Sequence, residues 1–226
     1  MPITLGPSSA VPTLLFGALF AAYSRHSSAA TVGVAAAVGA VGGAISLIVH
    51  EVGHVRAARR TPGVRPVGVS LFALGAATRL EGRYRCGRDQ LRVALAGPAA
   101  SLVFAVPILG CVALPVATPL KFAAFLLAGL NVGIAAFSLL PMHPFDGHKC
   151  LVGLLWSALD SEPGARKVLR VVGRLALGVD VLGSAYLVAH RPLEGTLLVC
   201  VAGAFLLQKQ LLRLAHRLRA VPAETS

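Results

Sequence analysis

Residues 29–60 read AATVGVAAAVGAVGGAISLIVHEVGHVRAARR, and this stretch decides the fold. From Ala29 to Val49 there is no charged residue. That length matches the roughly 20 apolar residues that carry a helix across a bilayer. The run ends in His50-Glu51-Val52-Gly53-His54, and Arg56, Arg59 and Arg60 follow. On a helix, residues four apart project from one face, one turn above the other. His50 and His54 so placed can bind one tetrahedral Zn²⁺, leaving positions for another ligand and a water. Glu51 is then adjacent to the metal, where it can take a proton from that water. The plain alternative is a pair of interfacial histidines that snorkel toward water. Three polar residues at the edge of a span are costly without a task, and this favours the metal.

The rest of the chain has the same apolar character. Of 226 residues, 56% are hydrophobic and 13% charged, where a soluble domain carries about 25% charged residues. Gly and Ala are abundant inside the apolar runs, as suits close helix packing in lipid. The composition therefore indicates an all-α polytopic membrane protein. Its net charge of +12 lies in loops between spans, and no basic-aromatic patch argues for a nucleic-acid partner. Cys86, Cys111, Cys150 and Cys200 are widely scattered, so neither a thiolate metal site nor a disulfide framework is indicated.

About six spans are expected. The first runs from about Leu5 to Tyr23, read as a retained span rather than a signal peptide, and the second from Ala29 to Arg60. Pro62-Gly63 breaks that helix. Val67, Val69, Leu71 and Ala73 then alternate, with Gly75 placed to turn the chain, so residues 65–80 read as a short β-hairpin at the membrane surface. The third span runs from about Gln90 to Pro115, the fourth from Pro119 to Leu140. A short helix follows from His148 to Leu159. The fifth and sixth spans cover about Val171–Ala189 and Leu193–Leu207, before a basic tail. Residues 55–92, 142–174 and 209–226 hold 18 of the 21 Lys and Arg. By the positive-inside rule these segments, and both termini, face the cytoplasm. The expected location is a bacterial cell membrane.

A catalytic zinc commonly has three protein ligands. Asp146 stands out, because Pro141, Pro144 and Gly147 force non-helical backbone around it at membrane depth. Such backbone is tolerated where it is buried in protein or lines a water cavity. Asp146 is then the natural third ligand. The plainer reading is that it caps the helix that begins at His148, and the two roles need not exclude each other.

His50-Glu51-Val52-Gly53-His54, Ala96-Gly97-Pro98 and the segment Leu139 to Gly147 together resemble the site-2 protease family of intramembrane zinc metalloproteases, peptidase family M50. The resemblance covers roughly residues 29–160. It implies one Zn²⁺ per chain held by His50, His54 and Asp146, Glu51 as general base, and a surface hairpin after the metal-binding span. It implies a membrane-protein substrate cut in or near a transmembrane segment. Ser138 stands where the family places the Asn that holds substrate or oxyanion. Ser101 stands where the family often has another Asn, and His148 replaces a second glycine. Asn131, two helical turns before Ser138 on the same face, can take over substrate contact or make a helix–helix hydrogen bond. No PDZ or nucleotide-sensing CBS module fits in the connections, so the expectation is a minimal form. One membrane-embedded domain, 1–226, has its catalytic core at about 29–160 and C-terminal helices at about 171–218.

Two other classes compete. A catalytically weak or inactive relative acting as a membrane scaffold would fit the two serine departures, but it has no use for Glu51. An ion transporter would use His50, His54 and Asp146 as a path, but it needs no base beside paired histidines. Asp180 is given no catalytic role in these readings; its expected role is pairing with a polar group on another span.

Overall fold

The computed structural model describes residues 3–5, 10–72 and 75–174, with side chains from residue 10 onward except 71–75. Residues Met1–Leu169 make one compact unit and Arg170–Ser226 a second. The expected fifth span beyond residue 174, the expected sixth span and Asp180 lie outside the described residues. In chain order the elements are β1 (Ile3–Leu5), α1 (Ala10–Tyr23), α2 (Ala29–Arg59), β2 (Val64–Phe72), β3 (Gly75–Gly82), α3 (Gly87–Gly110, extended by a 3-10 turn at Cys111–Ala113), α4 (Thr118–Ser138) and α5 (Asp146–Leu159). Residues 162–174 are also helical.

Three of these helices, α2, α3 with its 3-10 turn, and α4, are long and apolar enough to cross a membrane. Together they make a multi-pass membrane protein. The expected first span is shorter than its apolar stretch. Ile3–Leu5 is a strand, and α1 has 14 residues, or about 21 Å at 1.5 Å per residue against a core of roughly 30 Å. The second span is as expected. Ser28 opens it, accepting a bond from the Thr31 amide, and Arg56 and Arg59 sit in its last turn, where positive charge suits the helix dipole.

The packing is that of a protein dissolved in lipid. The largest fully buried side chains are Val152, Asn131, Ser24, Ser46 and Ser101, whereas Val103 and Val106 are 71% and 70% exposed. Many large apolar groups face outward while the inward stripe of α2 is mostly small or polar, an arrangement that suits a solvent as apolar as leucine. On α2 the buried stripe is Ala35, Gly39, Gly43, Ser46, His50 and His54. Its small residues let other helices approach. A Cβ on Gly39 would lie 2.6 Å from the Phe16 carbonyl and the Phe20 ring of α1. Phe20, Ala35 and Leu127 form the buried cluster between α1, α2 and α4.

The hairpin is present, with β2 and β3 antiparallel and paired from Val64↔Gly82 to Phe72↔Gly75. Two features depart from the expectation. A bulge leaves Val67 as an extra residue between Pro66↔Leu80 and Gly68↔Arg79, which the plain alternation does not anticipate. Pro66, which has no amide hydrogen, sits at that irregularity, where a ladder tolerates proline. In addition, β1 pairs parallel with Val69–Leu71, so the sheet order is β1-β2-β3 and one of the two hairpin edges is covered there.

Gly39→Val should lower the thermal unfolding midpoint in detergent, at a cost of about 1–3 kcal/mol for overpacking. Gly33→Ala, where a Cβ would meet nothing within 4 Å, should leave the midpoint unchanged. Equal midpoints for the two variants would show that α1 does not pack on the glycine stripe.

Candidate metal centre

His50 and His54 project from α2 toward α3 and α5 and are each 6% exposed. Asp146 is the first residue of α5 and 7% exposed. The cap position of α5 belongs to Phe145, and no side chain bonds to the helix end there. Asp146 is therefore not a cap. Its carboxylate turns to the histidines instead, with Oδ2 3.2 Å from His50 Nε2 and 3.0 Å from His54 Nε2.

Each remaining polar atom of the group is tied down. His54 Nδ1 donates to the Val93 carbonyl at 2.8 Å. A carbonyl can only accept, so Nδ1 carries a proton, and Nε2 is the ring atom that faces Asp146. His50 Nδ1 lies 3.0 Å from Ser101 Oγ, the serine that replaces the family asparagine. Lys149 Nζ donates to Asp146 Oδ1 at 2.8 Å, leaving Oδ2 for the histidine side. Gln90 of α3 in turn donates to the Lys149 carbonyl at 3.0 Å. Tyr84, in the loop before α3, has its hydroxyl pushed up to about 12 by burial and by the Asp146 charge, so it remains a donor at neutral pH.

These residues suit a metal ion. One ligand atom from each of His50, His54 and Asp146 lies within 4.8 Å of the others. Ligands at about 2.0–2.1 Å from a tetrahedral zinc are roughly 3.3 Å apart, close to the two histidine–carboxylate separations. Gly97 keeps the space in front of them open. A Cβ there would collide with His54 Nε2 and lie 2.7 Å from His50 Nε2. Gly53 does the same for helix approach, since a Cβ on it would strike the Ala96 carbonyl and stand 2.7 Å from the Ala100 Cβ. The Ala96-Gly97-Pro98 motif thus lets α3 come close to the histidine face of α2.

Glu51 is buried on the flank of α2, and Thr78 of β3 donates to its Oε2 at 2.6 Å. Thr78 gave no signal in the sequence beyond its place in the hairpin. Two expected substrate residues behave differently. Asn131 is fully buried and donates to Ser46 Oγ and the Leu127 carbonyl, both at 2.9 Å. That is the helix–helix hydrogen bond, joining α4 to α2. Ser138 donates to the Ala135 carbonyl of its own helix at 2.9 Å, and no hydrogen bond between it and Glu51 or the histidines is found among the described residues.

The profile of Peptidase family M50 matches residues 38–118. Rip3, a candidate zinc metalloprotease of Mycobacterium tuberculosis, is 35% identical over 161 residues, which is 66% of this chain and 40% of Rip3. A candidate zinc metalloprotease of Synechocystis, sll0528, is 31% identical over 144 residues, or 61% of this chain and 38% of that protein. The chain thus spans about 40% of the length of these relatives. Among solved structures, the site-2 protease from Methanocaldococcus jannaschii superposes with a TM-score of 0.51 over 88% of this chain and 85% of that one, at 20% identity.

Purified protein should carry about one zinc per chain by elemental analysis, and His50→Ala/His54→Ala should carry none. Ser101→Ala should weaken zinc binding about 10- to 100-fold in competition with a chelator, the usual effect of removing a histidine's outer partner. Stoichiometric zinc in the double variant would refute the ligand assignment.

Proposed function

We propose, from the premise that this chain belongs to the site-2 proteases, peptidase family M50, that it is a zinc metalloprotease which hydrolyses a peptide bond in or near a transmembrane segment of a membrane protein. The observation that carries this reading is one buried cluster in which His50, His54 and Asp146 converge and Glu51 stands beside them. His50, His54 and Asp146 are the metal ligands and Glu51 is the general base. The catalytic core is residues 29–160 of a single membrane-embedded domain, with six spans and both termini in the cytoplasm. The mycobacterial and cyanobacterial relatives support a bacterial membrane.

Bound zinc supplies Lewis acidity for the scissile carbonyl and lowers the pKa of water toward about 7. Glu51 accepts the proton of the attacking water and delivers it to the leaving amine. The Nδ1 partners of His50 and His54 and the Lys149 contact to Asp146 hold the three ligand atoms in place before substrate arrives. A scaffold relative has no need of this held carboxylate beside the cluster.

Substrate must reach the site unwound, because a helix shields its own amides. An unwound segment needs partners for its freed backbone groups, and strand addition to an open sheet edge supplies them. β2 is paired on both sides over Val69–Leu71. Among the described strands the open edge along the whole hairpin is that of β3, and β3 also reaches Glu51 through Thr78. We therefore assign substrate alignment to β3.

Glu51→Gln should keep zinc and fold but lose cleavage of a membrane substrate by at least about 100-fold. Substantial turnover by this variant would show that Glu51 is not the proton acceptor.

The edge is tested by proline. In an antiparallel ladder, neighbouring residues point their amides alternately at the partner strand and away from it. Ala76→Pro and Ala77→Pro therefore remove one inward and one outward donor. The variant that loses the outward donor should cleave slowly while retaining zinc. Wild-type cleavage by both variants would show that β3 does not align substrate.

A further inference from the structure

Glu51 follows His50 by one residue, so its side chain leaves α2 about 100° around the helix from the histidine. It points at the sheet rather than at α3. A glutamate has three side-chain torsions, and a base must be held within hydrogen-bond reach of the proton it takes. The group that fixes it comes from β3. Thr78 Oγ1 lies 2.6 Å from Glu51 Oε2 and 3.4 Å from the Glu51 backbone carbonyl. Its single proton goes to the shorter contact, with the carboxylate. Oε2 is thereby engaged, and Oε1 remains for water.

β3 is pleated so that Ala76, Thr78 and Leu80 are partly buried, while Ala77, Arg79 and Glu81 are exposed. Faces and edges of a strand are separate surfaces. A strand can therefore pair along the open edge of β3 without displacing Thr78 from Glu51.

We propose that Thr78 is a positioning residue: its hydroxyl holds the carboxylate of Glu51, and it makes the strand that aligns substrate and the base that serves the reaction one rigid unit. This rests on the reading of Glu51 as the proton acceptor. It goes beyond that reading in giving the hairpin a part in the chemistry as well as in binding.

The test uses the full-length zinc-loaded protein in detergent, a transmembrane substrate, and the variants Thr78→Val and Thr78→Ser. Valine keeps the shape and β-branching of threonine without the hydroxyl, and serine restores the hydroxyl. Thr78→Val should lower kcat about 10- to 100-fold, the range for losing a hydrogen bond to a charged group. KM and zinc content should stay unchanged. Thr78→Ser should recover most of the rate. In the Glu51→Gln background, Thr78→Val should leave substrate binding unaltered. A rise in KM, loss of binding in that background, or no rescue by serine would overturn the proposal in favour of a structural role in the sheet.

A second measurement needs no turnover. Thermal midpoints of Thr78→Val, Glu51→Ala and the double variant form a cycle, and paired groups give non-additive shifts. Additive shifts would overturn the contact even if the protein cleaves. Non-additive shifts in a protein whose wild type cleaves nothing would uphold the contact and reject the protease reading instead.

Discussion

Three ionisable side chains on one turn of α2 and an aspartate on α5 are buried between apolar helices, and every other feature of the site answers to that. An unpaired polar group in such surroundings costs several kcal/mol on the order set by transfer to hydrocarbon, and a charge costs more. The two imidazoles and the Asp146 carboxylate therefore have partners on every polar atom, as does Oε2 of Glu51, and the partners come from different elements. Val93 and Ser101 bring α3, Thr78 brings β3, and Lys149 with Gln90 locks α5 to α3. A low local dielectric strengthens each of these bonds and raises the cost of breaking any one. The metal face and the packing of the bundle are thus a single requirement.

The stripe along α2 shows how the chain meets it. At one end Gly39 and Gly43 are small enough for α1 to lie against the helix, and at the other Gly53 lets α3 do so. Ser46, between them, accepts from Asn131 and donates to the Gly42 carbonyl. Without a hydrophobic force between helices in lipid, close backbone approach and such bonds hold the bundle. That close approach is also what carries the histidines to Gly97. Bulk at the glycines would open the bundle and move His50 and His54 away from Asp146.

Much of this was legible in the sequence, for identifiable reasons. α2 could be bounded to within a residue, because a capping serine and a cluster of arginines mark its ends. His50, His54 and Asp146 could be brought together because ligand chemistry limits which residue types can share an ion. The hairpin could be placed from alternation, but not its bulge at Val67, since a period of two carries no mark of an inserted residue. Thr78, Ser101 as a histidine partner, and Lys149 were missed or given no role. They lie 27, 51 and 3 residues from the groups they hold, and only packing decides which of many hydroxyls and amines arrives. Asn131 and Ser138 shared a helix face with the expected substrate position, but Asn131 was claimed by Ser46 and Ser138 by its own helix.

The sheet shows a further constraint at work. An open strand edge invites pairing with any extended chain, and proteins ordinarily blunt it with charge or cover it. Here the two edges of the hairpin are treated differently. β1 covers β2 over Val69–Leu71. β3 is left uncovered among the described strands, with Arg79 and Glu81 exposed along it. Those charges oppose the flat apolar stacking that leads to aggregation, yet they leave the backbone groups of the edge available. A guest strand that must stay paired through its own amides can still be accepted there. The selective edge is also the one whose other face touches Glu51. In the proposed function, covering β2 over Val69–Leu71 and leaving β3 open directs an unwound segment to the edge nearest Glu51.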